Sequence, residues 1–348
     1  MKQKQDIRAL TKDELRQFFI SNGDKAFRGN QVYEWLWGKA VHSFDTMTNL
    51  SKETRHMLGA HFVINHIKVD ELQRSKDGTI KNAIKLHDGL VVEAVLIPTE
   101  TRTTACVSSQ VGCSLDCAFC ATARLKKMRN LNPDEIYDQV VVINQQSQLY
   151  HQHKLSNIVF MGMGEPLLNY KNVLSAIEKI TSNEGLGMSP KRITLSTVGI
   201  PKMIKKLADE NAKFNLAVSL HSAIDSIRSK MMPINEKSNI AELLESLQYW
   251  HEKTKSRITF EYVVWQNIND SQKDVEALIY LCKKVSVKVN LIEYNAIGDD
   301  AFKPASPQAI ANYVKGLEDN NIVVNVRHSR GKDIDAACGQ LANKAINN

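Results

Sequence analysis

Cys113-Ser114-Leu115-Asp116-Cys117-Ala118-Phe119-Cys120 places three thiols in one short loop at the spacing C-x3-C-x2-C. Three thiolates can hold three irons of a four-iron cluster and leave the fourth iron open. An open iron at low potential can bind and break a cofactor, so the loop points to radical chemistry rather than to structure. The alternative is zinc held by Cys117-x-x-Cys120 and other groups. Structural zinc takes four ligands, and this sequence offers neither a second C-x-x-C nor a histidine pair to complete the set. Phe119, directly before the last cysteine, favours the cluster.

The loop follows an apolar strand candidate at 103–108. Further candidates lie near 157–163, 192–197, 213–220, 257–265, 288–294 and 321–327, most of them separated by helical segments. Asn132, Pro133 and Glu135 open one such helix as N-cap, N1 and N3. Repeated βα units predict an α/β protein with a parallel sheet and outer helices, either doubly wound or a partial barrel. The cysteine loop would then sit at the C-terminal end of the first strand, where parallel α/β folds place active sites. Upstream, Lys81–Leu86 and Leu90–Ile97 flank His87-Asp88-Gly89, a hairpin signal. Residues 1–63 read as helical: Thr11 and Glu14 form a capping box before Leu15, Phe18 and Phe19, Gly23 is a stop, and Val32, Trp35 and Leu36 recur at helical spacing. This unit suits either a nucleic-acid-binding accessory or a structural cap. The expected divisions are 1–63 (helical accessory), 64–102 (β-hairpin extension carrying Glu93), 103–330 (core) and 331–348 (C-terminal segment carrying Cys338).

The chain has 348 residues, 43% hydrophobic and 24% charged, ordinary for a globular protein, with 45 Lys and Arg against 38 Asp and Glu. The net charge of +7 suits a polyanionic partner. Basic clusters at Arg124, Lys126, Lys127 and Arg129, and at Arg327, Arg330 and Lys332, point to RNA or DNA, solvated surface charge being the alternative. No apolar run is long enough to span a bilayer, and no apolar stretch behind Met1 marks a signal peptide, so a cytoplasmic location is expected. In that compartment the six cysteines favour metal or thiol chemistry over permanent disulfides.

Two further residues carry chemistry. Glu93 is a carboxylate inside the apolar run Val91-Val-Glu-Ala-Val-Leu-Ile97; burial would raise its pKa and improve it as a proton acceptor, a satisfied strand glutamate being the alternative. Cys338 stands between Ala337 and Gly339, a small-residue loop able to carry a nucleophilic thiol into a site. Cys282, within a helical stretch, reads as core. Gly162-Met-Gly164-Glu165-Pro lacks the third glycine of a dinucleotide fingerprint and by itself marks only a tight turn.

The cysteine loop resembles the cluster motif of radical S-adenosylmethionine (SAM) enzymes. Cys106-Val-Ser-Ser-Gln-Val-Gly-Cys113, Met161-Gly-Met-Gly-Glu-Pro-Leu-Leu-Asn169, Thr194-Leu-Ser-Thr197, Ser219-Leu-His221 and Asp333-Ile-Asp-Ala-Ala-Cys-Gly-Gln-Leu341 follow in order. From about residue 25 to the C-terminus they resemble the RlmN family of bacterial adenine-C2 methyltransferases. The resemblance implies a partial (βα)6 barrel and one [4Fe-4S] cluster on Cys113, Cys117 and Cys120 with exchangeable SAM. It implies SAM contacts from Gly164, Glu165, Ser196, Ser219, Leu220, His221 and Asn295. In such enzymes one electron cleaves SAM to a 5′-deoxyadenosyl radical, and two SAM are used per turnover. One methylates the cysteine matching Cys338, and the other yields the radical that activates that methyl group for addition to adenine C2. Glu93 matches the proton acceptor, and Cys106 the cysteine that releases the covalent RNA adduct through a transient disulfide with Cys338. The implied substrates are an adenosine of the peptidyl-transferase region of 23S rRNA and the adenosine 3′ of the anticodon in tRNA; these bases must be unstacked to react. A flavodoxin-type electron donor and a monomer are also expected.

Relatives carry glycines after the third cysteine, whereas Ala121–Asn130 has none, which predicts a stiffer, more basic cover. Two other functions compete: the related C8-adenine methyltransferase of ribosomal RNA, which shares the cysteines, and a non-catalytic zinc RNA-binding protein.

Overall fold

The computed structural model describes residues 4–298 and 301–342. The N-terminal unit runs β1 (Gln5–Asp6), α1 (Lys12–Ser21), α2 (Phe27–Tyr33), a π-helical turn over Glu34–Gly38, α3 (Lys52–His61) and β2 (Phe62–Val63). The Thr11–Glu14 capping box opens α1: the Thr11 N–H donates to Glu14 Oε2 at 2.7 Å, and the Glu14 N–H to Thr11 Oγ1 at 3.2 Å. A Cβ at Gly29 would lie 2.5 Å from the Arg16 backbone nitrogen, so glycine there lets α2 press against α1. The sequence predicts only helices here. The added β1–β2 pair is parallel and joins the two ends of the unit, Gln5 to Phe62.

The chain then forms β3 (Lys68–Arg74), β4 (Ile80–Lys85), β5 (Val91–Pro98) and β6 (Thr103–Cys106), followed by two short strands around the cysteine loop, β7 (Gln110–Val111) and β8 (Arg129–Asn130). Thereafter helices and strands alternate: α4 (Pro133–His151), β9 (Asn157–Phe160), α5 (Tyr170–Thr181), β10 (Ile193–Thr197), α6 (Pro201–Asp209), β11 (Asn215–Ser219), α7 (Asp225–Met231), α8 (Ile240–Thr254), β12 (Ile258–Val263), α9 (Gln272–Cys282), β13 (Val287–Ile292), α10 (Pro307–Asp319) and β14 (Val323–Arg327). Asn132 caps α4 with Glu135, and Pro133 occupies its first turn, as the sequence predicts.

One 10-stranded sheet carries the molecule, in the order β14-β13-β12-β11-β10-β9-β6-β5-β4-β3. From β6 to β14 every neighbouring pair is parallel, and from β3 to β6 every pair is antiparallel. This is the mixed α/β, parallel-rich fold expected of a radical SAM enzyme. The parallel run continues one strand past six βα units, to β14. The hairpin carrying Glu93 is continuous with the parallel sheet, because Val95 on β5 pairs with Cys106 on β6. Parallel strands put all their C-terminal ends on one side, and the loops leaving those ends surround a single cleft. Cys282 is buried in the core. The N-terminal unit is fastened to α4 by buried Arg8, whose Nη1 lies 2.8 Å from Asp138 Oδ1 and whose Nη2 lies 3.1 Å from Asp134 Oδ2. Among the described residues no helix is long and apolar enough to cross a membrane.

Candidate active site

Leaving β6, the chain is pinned to the neighbouring strand end: Ser109 N–H donates to Met163 O at 2.8 Å. It then turns sharply. Gly112 has φ +74°, and a Cβ there would meet Lys126 O at 2.5 Å, so only glycine fits. The Cys120 N–H donates to Cys117 O, and the Ala118 N–H to Met231 O at the end of α7. Phe119 anchors the loop from below, edge-on to His221 (centroids 4.7 Å apart) and tilted against Trp265 (5.1 Å). Cys113, Cys117 and Cys120 thereby face one cleft, which holds about 1080 Å³ of space, part of it open to solvent.

The donor set fits a multi-iron cluster. Burial pushes the Cys113 and Cys117 thiols up, and neighbouring cysteines push them further, so ionising these two needs a compensating cation. Three thiols facing one cleft suit a cluster, which gives each thiolate its own iron. Arg228, fully buried, supports the negative charge from behind. Its donors go to neutral groups, Leu220 O at 3.1 Å, Asn235 Oδ1 at 2.7 Å and Val198 O; burial pulls its pKa down to about 10, and Cys117 acts to raise it.

Gly164, Glu165, Ser196, Ser219, His221 and Asn295 line the same cleft. Gly164 has φ +93°, and a Cβ there would strike the Gln110 side chain at 2.5 Å, so close packing alone demands glycine at this turn. Buried Glu165 straps two strand ends together: its Oε1 accepts from Leu167 N–H and its Oε2 from Val198 N–H, both at 2.9 Å. Burial nevertheless pushes its carboxyl up to about 7. His221 adopts φ +55°, and its Nδ1 accepts from Val263 N–H at 3.2 Å, which leaves the proton on Nε2. Desolvation drives His221 down to about 3, so the ring is neutral. Asn295 Nδ2 donates to Cys338 O at 3.3 Å, and its Oδ1 is buried without a partner. That orphaned acceptor is suited to a ligand donor such as an amino group. Leu220 does not line the cleft; its side chain is in the core, and its N–H donates to Glu261 O.

The C-terminal segment crosses the mouth of the cleft and is tied at many points. Gly331 N–H donates to Asp77 Oδ2 at 2.9 Å, and Lys76 N–H to Asp333 Oδ2 at 3.2 Å. Ala121 N–H donates to Gly339 O, Thr122 Oγ1 to Leu341 O, and Gln340 Nε2 to Ala296 O. Cys338 thus lines the same cleft as the three loop cysteines. It is accessible through the cleft yet surrounded by protein, and desolvation pushes its thiol up to about 11, an effect opposed by Arg327. Cys106, buried at the end of β6, is pushed up to about 12 by burial and by Cys338. All six cysteines are free thiols. Glu93 lies beside the cleft rather than in it. Its Oε2 accepts from Ala342 N–H at 2.8 Å, and its Oε1 is 3.5 Å from Lys81 Nζ.

Some of the basic residues read as an RNA surface have internal partners. Arg129 is gripped by Glu135 (2.7 and 2.8 Å) and Asp88 (2.6 Å), and Lys332 pairs with Glu293 at 2.5 Å. Lys126 and Arg330 are exposed. Glu261 and Trp265 also line the cleft, and the sequence reading passed over both. Glu261 carried a usable signal, a carboxylate inside the apolar run Ile258–Val263, the same pattern that singles out Glu93.

Two family models match the chain: the ribosomal RNA large subunit methyltransferase N-terminal domain over residues 5–64, and the radical SAM superfamily over residues 107–279. A "Probable dual-specificity RNA methyltransferase RlmN" of Flavobacterium psychrophilum is 69% identical over 99% of both chains. One of the same name from Cytophaga hutchinsonii is 54% identical over 99% of this chain and 94% of its own. Among solved structures, a radical SAM methyltransferase from Sphaerobacter thermophilus superimposes with a TM-score of 0.91 at 36% identity, covering 97% of this chain and 99% of that one. Match and likeness run the length of the molecule, across the cysteine cleft, and the chain belongs to the RlmN family of radical SAM methyltransferases.

Proposed function

We propose that the protein methylates C2 of adenine in RNA, using Cys338 as a methyl carrier. The observation that carries this reading is the placement of Cys338 in the same cleft as Cys113, Cys117 and Cys120, close enough to Cys106 to raise the pKa of the Cys106 thiol. Adenine C2 is not nucleophilic, so direct transfer from a sulfonium would fail; a thiol can accept the methyl group first.

In this reading Cys113, Cys117 and Cys120 hold one [4Fe-4S] cluster, and Gly164, Glu165, Ser196, Ser219, His221 and Asn295 surround SAM, with Leu220 packed in the core between Ser219 and His221. When bound, cluster and SAM supply a one-electron hydrogen abstraction, and two SAM are consumed per turnover. Cys338 loses its proton and takes a methyl group on Sγ. After one hydrogen atom is removed from that group the carbon bonds to C2, and the adduct gives up its one unpaired electron, which the cluster, when bound, would accept. Glu93 takes the C2 proton. Cys106, deprotonated, then attacks Cys338 Sγ. The bond from sulfur to the transferred carbon breaks with its electron pair left on the carbon, which takes up a proton to become the methyl group. The transient Cys106–Cys338 disulfide is returned to two thiols by an external thiol reductant. The C-terminal ties hold Cys338 over the cleft and limit water entry.

The reading takes 23S rRNA and tRNA as substrates, as the relatives' "dual-specificity" name suggests, with exposed Lys126 and Arg330 available to phosphates. It includes a flavodoxin-type electron donor, a cytoplasmic location and a monomeric enzyme. Cys106→Ala tests it: the variant should accumulate a covalent protein–RNA adduct, visible as a slow band that nuclease removes. Normal turnover by this variant would contradict the release step.

A further inference from the structure

We propose that Glu261 and Arg327 read the edge of the target adenine that ends at C2, Glu261 accepting from the 6-amino group and Arg327 donating to ring nitrogen N1. The inference rests on the C2-methylation reading above and names the groups that select the base.

The sheet register builds the site. Ser219, Glu261, Asn290 and Asn325 stand side by side on β11, β12, β13 and β14. Asn325 Nδ2 donates to Asn290 Oδ1 at 3.3 Å, and Asn290 Nδ2 donates to Glu261 Oε1 at 2.9 Å. This relay fixes the carboxylate plane, and among the described residues Oε2 has no donor within good hydrogen-bond geometry, although Glu261 is only 3% exposed and lines the cleft. The nearest cation, Arg327 Nη1, is 3.5 Å away, too long for a good hydrogen bond. A buried carboxylate oxygen in that state is costly unless a ligand supplies the missing donor.

The chemistry of the pair selects among ligands. It presents an acceptor beside a donor, and adenine's pairing edge presents the complement, the 6-amino donor beside the N1 acceptor. C2 is the next atom along that edge. Enzymes acting on unstacked bases read this edge by hydrogen bonds. A guanidinium at the rim does not favour the cationic sulfonium of SAM. Glu261 and Cys338 line the same cleft, so a base bound along the Glu261–Arg327 pair lies on the side of the methyl carrier.

The test uses the full-length, cluster-reconstituted protein and a tRNA carrying either adenosine or purine riboside, which lacks the 6-amino group, at the target position. For the wild type, removing that group should lower kcat/KM for methyl transfer by on the order of tenfold to a hundredfold. Glu261→Gln should lower transfer to adenosine while nearly abolishing the difference between the two substrates. Its SAM affinity should stay unchanged, and Cys338, relieved of a neighbouring negative charge, should still be methylated, as followed by protein mass. Arg327→Gln, at an exposed sheet edge, should likewise lose discrimination against 1-deazaadenosine. Weakened SAM binding or lost Cys338 methylation in Glu261→Gln would assign the residue to SAM and overturn the proposal, as would full retention of discrimination in both variants. If the wild type makes no 2-methyladenosine on the adenosine substrate, the parent reading itself fails, and the inference falls with it.

Discussion

The cleft is closed by two segments built on opposite principles. The cysteine loop, residues 113–120, is held by nearby turns, by Met231 O and by Phe119 resting on His221 and Trp265. The C-terminal segment, residues 331–342, makes its ties to the β3–β4 turn, the cysteine loop, the chain after β13 and Glu93 on β5. One is a compact turn carrying three thiols, and the other a strap that depends on the whole mouth being assembled. In the proposed reading the first makes the radical and the second delivers the carbon and then releases it.

The sharpest way to break that division is to remove one thiol from each segment. Cys117→Ala should lose the cluster, with its iron content and brown colour, and with them all reductive cleavage of SAM. Cys338→Ala should keep iron and SAM cleavage while losing RNA methylation entirely. Methylation by Cys338→Ala at the wild-type rate would end the account of the strap.

A subtler cut loosens the strap without touching its thiol. Asp77 Oδ2 accepts from Gly331 N–H, Oδ1 accepts from Thr79 N–H, and these bonds hold the Asp77 carboxyl at about 2. Asp77→Ala should cost about 1 to 3 kcal/mol locally. Methyl transfer should fall several-fold with iron content unchanged, and amide exchange should rise across 331–342 and not across 113–120. Equal loosening of both segments would show that they are one unit.

The smallest expected effect concerns the floor of the cysteine loop. His221 is depressed from the ordinary 6.5 to about 3, so between those values the unfolded chain binds the extra proton. Its contribution to stability is therefore complete above pH 6.5 and is lost as pH falls towards 3. The His221 ring signals should show no titration between pH 8 and pH 5; a midpoint near 6.5 would mean that the ring is solvated and the loop poorly seated.

The two segments also differ in how far the sequence reveals them. The cysteine spacing is local, as are the Asn132–Pro133–Glu135 helix start and the His87-Asp88-Gly89 hairpin, and all three are legible because the chemistry lies within a few residues. The strands of the parallel sheet were legible as apolar runs. The β1–β2 and β7–β8 pairs were not, since each is two residues long and its partner lies far along the chain. Nothing near Cys338 in sequence indicates what holds it, because its ties come from elements far along the chain. Arg129 shows the converse failure: a basic run looks like an RNA surface until Glu135 and Asp88 fold against it. Glu261 shows a third. Its signal matched that of Glu93, but no family motif drew attention to it, and only the register placed it in the cleft.

The central claim is that the two segments together place a methyl group on adenine C2. The most direct measurement supplies SAM with an isotope-labelled methyl group and a one-electron donor to the reconstituted protein, digests the RNA and identifies the labelled nucleoside. The account predicts labelled 2-methyladenosine from both 23S rRNA and tRNA. Labelled 8-methyladenosine, or no labelled nucleoside from an iron-replete protein, would contradict it.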